Sequence, residues 1–115
     1  MLLETERLII RYFSEEDKGD LYDYLSREEV VKYEPYTLYS RQAAAEEAAR
    51  RAEDPNFYAV ALKSGKVIGN LYLSKGDYDT WELGYVFNSD FWGNGYAYES
   101  AAALITQAFE EWGAR

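Results

Sequence analysis

Trp81-Glu82-Leu83-Gly84-Tyr85-Val86-Phe87-Asn88-Ser89-Asp90-Phe91-Trp92-Gly93-Asn94-Gly95-Tyr96-Ala97-Tyr98-Glu99 is the stretch that decides how this chain folds. A strand over Trp81–Phe87 ends, a loop carries Gly93-x-Gly95, and a helix begins at once. The first turn of that helix has N–H groups without internal partners, and the macrodipole makes that end positive. Two glycines let the backbone take φ > 0 angles and approach a ligand closely. Together these features describe an anion cradle made of main-chain groups. The loop holds no Lys or Arg, so the backbone has that task alone. Gly-x-Gly by itself is a weak signal, because two glycines between a strand and a helix are more often a tight turn. The dinucleotide fingerprint is excluded, since Tyr98 stands where its third Gly belongs, and no Gly-Lys-Ser/Thr exists for a P-loop.

Working outward, residues 8–13 form a short apolar run rich in Ile and aromatics, which predicts a strand. Ser14 then offers a hydroxyl cap ahead of Glu15, Glu16 and Asp17, predicting a helix to about Ser26. Ser26-Arg27-Glu28-Glu29 reads as a capping box before a short helical turn, which Glu34-Pro35-Tyr36 ends. Ser40 caps a third helix over 42–52, and Asp54-Pro55 closes it. Strands are predicted over Phe57–Leu62 and 67–74, joined by the turn Lys63-Ser64-Gly65-Lys66. Gly76-Asp77-Tyr78-Asp79 makes a further turn into the Trp81 strand. The last helix runs from Gly95 to about Trp112, with Ala97, Ala101, Leu104, Ile105, Ala108 and Trp112 on one apolar stripe. The order is β-α-α-α-β-β-β-α, an α/β (α+β) fold with an antiparallel meander in its middle. Nothing reads as a linker or a repeat, so residues 1–115 are taken as a single domain.

Composition removes whole chemistries. The chain has 115 residues, a formal net charge of −9, no Cys and no His. Thiolate nucleophiles, disulfides, zinc–thiolate sites and imidazole bases are therefore excluded, and no metal site is expected. Proton transfer falls to carboxylates, Tyr, Lys, backbone or water. With 21 acidic residues against 12 basic ones, nucleic acid is a poor partner. Its binding by stacking aromatics fails on the same charge argument. No apolar run approaches the roughly 20 residues that span a bilayer, and no charged-then-apolar leader opens the chain. The expectation is a soluble, cytoplasmic protein that binds no membrane.

Three blocks then resemble a known family. Thr5-Glu6-Arg7-Leu8-Ile9-Ile10-Arg11, Glu82-Leu83-Gly84-Tyr85-Val86 and Trp92-Gly93-Asn94-Gly95-Tyr96-Ala97-Tyr98-Glu99 resemble the GNAT acetyltransferase superfamily in order and spacing. Within it they look like the branch containing the ribosomal-protein alanine N-acetyltransferases. The resemblance covers the whole chain. It implies a GNAT-like mixed, largely antiparallel sheet flanked by helices. It also implies acetyl-CoA as donor and a primary amine as acceptor, with direct transfer. The pyrophosphate-binding loop carries over to Trp92, Gly93, Asn94, Gly95, Tyr96 and Ala97. Asp90 stands where the family motif begins with Gln or Arg, and Asn94 replaces a frequent Lys. Val86, Phe87 and Asn88 match the strand positions that bond pantetheine through main chain, where an N–H polarises the thioester carbonyl.

Glu82 is the candidate catalytic base. It shares a strand face with Gly84 and Val86, and Gly84 leaves room beside the carboxylate for an amine. An alkyl ammonium has a pKa of about 10.4, so it must lose a proton before it attacks. The bland alternative is a solvated Glu on a wet strand face. Tyr33 and Tyr36, with Tyr39, are candidates for the amine side, where ring faces attract cations; the structural alternative is that they simply cover the core. Family members continue with further strands, so the resemblance implies that C-terminal strands are missing here. Either the chain belongs to a longer acetyltransferase or a second copy, as in a homodimer, completes it. A non-catalytic acyl-CoA-binding or assembly module derived from the fold is the rival function.

Overall fold

The computed structural model describes residues 2–32, 34, 37–76 and 80–112, the Trp112 side chain excepted. Strand β1 is Leu2–Glu4 and β2 is Leu8–Tyr12. Three helices follow, α1 over Lys18–Leu25, α2 over Glu28–Val31 and α3 over Arg41–Ala52. Strands β3 (Phe57–Leu62), β4 (Val67–Lys75) and β5 (Trp81–Phe87) come next, and α4 spans Tyr96–Trp112. The five strands form one sheet in the order β1-β2-β3-β4-β5, and each pairing is antiparallel.

Local chemistry sets most boundaries. Ser14 Oγ accepts from Glu16 N, and Asp17 Oδ2 accepts from Ser14 N at 2.8 Å, so the cap forms over a 3₁₀ turn that leads into α1. Ser40 Oγ accepts from Ala43 N at 3.1 Å and starts α3. Gly65 turns the β3–β4 hairpin at φ 103°. Three expectations differ from the structure. The added strand β1 pairs Leu3 with Ile10 and was not expected, because three residues are too few to show an alternation. The Ser26 capping box does not form: Ser26 ends α1, its N–H reaching the Tyr22 carbonyl, and Arg27 starts α2 without a side-chain cap. The stripe of α4 holds except at its edge, with Ala97, Ala101, Leu104 and Ala108 packed against the sheet. Ser100, Leu104 and Ala108 are the buried positions, while Ile105 is 38% exposed. The turn over 77–79 lies outside the described residues.

The sheet is covered on both sides. One face packs Ala59, Ala61, Val67 and Val86 against α1, α2 and α3. The opposite face packs Leu8, Ile10, Val60, Leu71 and Phe87 against Leu104 and Ala108 of α4. Among the described strands β5 lies at an edge, with Leu83 and Tyr85 exposed. No described helix is long and apolar enough to cross a membrane. The end of β5 gives Val86 to the first core and Phe87 to the second, so it lies between the two.

Candidate functional site

The end of β5 is fixed by β4 and by Asp23, Arg27 and Glu29. Asn88 is fully buried, and its N–H donates to the Ile68 carbonyl at 2.8 Å. Its Nδ2 donates to Asp23 Oδ2 at 2.9 Å, and its Oδ1 accepts from Asp90 N at 2.9 Å. Arg27 grips the same turn. Its Nη1 and Nη2 donate to the two Asp90 oxygens at 2.8 and 2.9 Å, and Nη2 also reaches Asp23 Oδ1 at 3.0 Å. The Ser89 hydroxyl donates to Glu29 Oε2 at 2.7 Å. The Arg27 hydrogen bond holds the Asp90 carboxyl below the usual carboxylate range, and the Ser89 hydroxyl does the same for Glu29. Asp90 is thus paired with a cation.

Antiparallel pairing alternates between strand partners that exchange hydrogen bonds and partners that do not. Asn88 bonds Ile68 directly across the ladder, so Val86 and Gly84 also bond toward β4. Tyr85 and Phe87 therefore turn their main-chain groups to the open edge. Trp92 agrees with this, since its Nε1 donates to the Phe87 carbonyl at 2.9 Å from that side. Of Val86, Phe87 and Asn88, only Phe87 offers its N–H to a ligand at the edge, while Asn88 keeps its polar groups inside the protein. Gly69 opposite Phe87 has no room for a Cβ, which would overlap the Phe87 ring.

The loop over 92–97 takes the shape a cradle needs. Gly93 and Gly95 stand at φ 84° and 79°. Glu99 N donates to the Gly95 carbonyl at 3.0 Å, so the N–H groups of Tyr96, Ala97 and Tyr98 precede the first i−4 bond of α4. Trp92, Gly93, Asn94 and Gly95 are exposed, and Tyr96 and Ala97 are half-buried. A cation is present after all. Arg7 lies over the Tyr96 ring, its Cζ 4.5 Å from the centroid, and its Nη2 is 3.6 Å from where a Gly95 Cβ would be. Glu99 holds it there, accepting from Arg7 Nε at 2.7 Å and from Arg7 N at 3.1 Å, with the Thr5 hydroxyl at 2.5 Å. Burial raises the Glu99 pKa, but these bonds outweigh it and the net direction is down. The sequence alone gives Arg7 no role, because the ion pair joins positions 92 apart in the chain.

Two grooves open along β5. One, of about 450 Å³, runs past Trp92 and Ala97 to Tyr85, Val86 and Phe87, with Glu29, Lys32 and Glu34 on its far wall. The other, of about 390 Å³, is lined by Glu82, Gly84, Tyr85, Val86, Phe57, Asn70, Tyr72 and Glu34. They share Glu34, Tyr85 and Val86, so they adjoin across the end of β5. Glu82 is exposed, and its carboxylate has no hydrogen bond or ion pair with a described residue. A Cβ on Gly84 would meet only Tyr72 Cβ at 3.9 Å, so the missing side chain widens the groove. Tyr33 and Tyr36 lie outside the described residues. Among the described residues no group of three His, Cys, Asp or Glu is arranged to hold a metal ion.

Comparison with known proteins follows the same lines. Residues 7–115 match the family described as the acetyltransferase (GNAT) domain. An uncharacterized N-acetyltransferase YnaD of Bacillus subtilis (strain 168) is 32% identical over 115 residues, covering 96% of this chain and 67% of that protein. The acetyltransferase (GNAT family) structure from Bacillus anthracis superposes with a TM-score of 0.90 at 28% identity, over 98% of this chain and 69% of that one. The Microcin C7 self immunity acetyltransferase MccE, solved in complex with acetyl-CoA and AMP, shares the fold at a TM-score of 0.73 and 14% identity, over 92% of this chain and 64% of that one. The chain thus spans about two thirds of the length of these relatives. With residues 7–115 matched and that identity along almost its full length, the chain belongs to the GNAT acetyltransferase family.

Proposed function

We propose that this chain carries the donor cradle and the acceptor groove of an N-acetyltransferase that moves an acetyl group from acetyl-CoA to a primary amine. The observation that carries the reading is the meeting of the two grooves at Tyr85, Val86 and Glu34. The cradle end has what a pyrophosphate needs: free N–H groups at the start of a 17-residue helix, two glycines at φ > 0, and Arg7 beside them. The family and the acetyl-CoA complex of the MccE neighbour support the same donor. Phe87 offers its N–H at the strand edge to the thioester oxygen, where negative charge develops.

At the other end, the carboxylate of Glu82 takes the ammonium proton, directly or through water. The neutral amine nitrogen then attacks the thioester carbon, the C–S bond breaks, and the second proton on that nitrogen passes, directly or through water, to the departing CoA thiolate. Glu82 is the catalytic residue of this scheme and Gly84 supplies the room. Tyr33 and Tyr36 are proposed to add ring faces to the amine side. Glu82→Gln tests the assignment. Turnover should fall by roughly 10²–10⁴-fold while acetyl-CoA affinity stays the same. Intact acetyl-CoA binding with no turnover of any amine by the unaltered chain would instead support a non-catalytic acyl-CoA-binding module.

A further inference from the structure

Asn70 sits on the floor of the acceptor groove, only 2% exposed, with one of its two polar ends occupied. Its Oδ1 accepts from the Tyr24 hydroxyl at 2.6 Å and from Arg51 Nη1 at 3.0 Å. A guanidinium can only donate, so this amide cannot be turned round. Its nitrogen faces away from both donors, and no described residue accepts from it. Arg51 itself is fully buried. It lies 4.5 Å over the Phe57 ring and 5.2 Å over Phe13, its Nε donates to Glu47 Oε2 at 2.6 Å, and its Nη2 has no partner among the described residues. Burying a guanidinium with an unmet donor is unfavourable, and apolar residues of similar volume often stabilise a core at least as well. Apart from Glu47, the polar group it serves is the Asn70 amide.

We propose that the Asn70 amide nitrogen, fixed and polarised by Arg51 and Tyr24, binds a carbonyl or carboxylate oxygen of the acceptor molecule. Asn70 is then a specificity-determining residue, selecting amines that carry such an oxygen a few bonds from the nitrogen. The inference rests on the acetyl-transfer reading of this groove. Register supports it: Asn70 stands opposite Val86 and Tyr72 opposite Gly84, so Asn70 is a diagonal neighbour of the space beside Gly84. Such neighbours are about 7–8 Å apart, which an amine and its nearby oxygen can bridge once the amide reaches out. The groove also has two unlike ends. Glu82 favours an ammonium, while the buried Arg51 and the amide donor favour an oxygen. A simple diamine, cationic at each polar point, would leave the amide unmet.

The test compares glycinamide with propylamine as acceptors and takes the ratio of their kcat/KM values. Dividing the ratio of the unaltered chain by that of a variant cancels the intrinsic reactivity of the two amines. Asn70→Asp keeps an acceptor for Arg51 and Tyr24 and replaces the donor by a second oxygen, so the core contacts survive. The ratio should fall by roughly 10- to 100-fold in Asn70→Asp, with acetyl-CoA affinity unchanged. An unchanged ratio in a variant that still melts cooperatively would overturn the subsite. Should neither amine be acetylated by the unaltered chain, the acetyl-transfer reading fails separately. The subsite is then read by binding: a rise in melting temperature with glycinamide that Asn70→Asp abolishes supports it, and no rise overturns it.

Discussion

At the cradle end of β5, Arg27, Asn88, Asp90 and Glu99 direct their polar atoms at other residues of the chain. At the acceptor end, a few residues away on the same strand, Glu82 and the Asn70 amide nitrogen have no partner among the described residues. The contrast separates two kinds of work. On the proposed reading, a donor of fixed structure is met by a backbone shape that the protein holds ready, and tying the loop to α1, α2 and the β1–β2 turn reduces what binding must order. On the same reading, an acceptor is met by groups left open, whose hydrogen bonds the ligand would complete. The cradle is therefore expected to fail through its geometry and the groove through its chemistry.

The largest effect at the cradle is expected from Gly95→Val. A β-branched residue is poorly accommodated at φ 79°, and its side chain would also press on Arg7. Acetyl-CoA affinity measured by calorimetry should fall by about tenfold or more, and an unchanged affinity would mean that the loop is not the cradle. Glu99→Gln comes next. It weakens the hold on Arg7 and Thr5 and should lower stability by about 1–3 kcal/mol, read as a drop in the denaturation midpoint. The effect should be smaller at the groove, where Glu82→Gln should leave the midpoint within about 0.5 kcal/mol. A large loss of stability there would erase the contrast.

Acid should separate the two ends as well. Asp90 and Glu29 titrate below the ordinary range, as does Glu99 once its bonds outweigh burial. Groups depressed in this way contribute stability above their unfolded values of about 4, and it is lost as pH falls through the lower folded values. Hydrogen exchange over 88–99 should be steady from pH 7 to 5, after correction for the intrinsic rate, and loosen below about 4. Loosening already near pH 6 would contradict the pairing. The smallest effect expected is that of Ser26→Ala, within about 0.5 kcal/mol, against about 1 kcal/mol for Ser40→Ala, which removes a formed cap.

That last pair also shows how far the sequence could be read. Ser14, Ser40 and Gly65 act locally, within three residues or one turn, so their roles were visible in the order of residues. Ser26 carried the same local pattern, yet Glu29 is drawn to Ser89 and Arg27 to Asp90, and these distant partners outweigh the cap. Ile105 shows the same limit, because the direction α4 faces is set by the sheet beneath it. At the site, the loop over 92–97 was legible because it is contiguous. Arg7, Glu34 and Asn70 were not, since each reaches the site from a different element and nothing in local spacing marks them.

The central claim is that these residues already build a cradle for acetyl-CoA. Titrating acetyl-CoA against the chain while following its melting temperature, with adenosine as control, tests it most directly. A saturable upward shift with acetyl-CoA and none with adenosine is predicted. No shift, or an equal shift with adenosine, would contradict it.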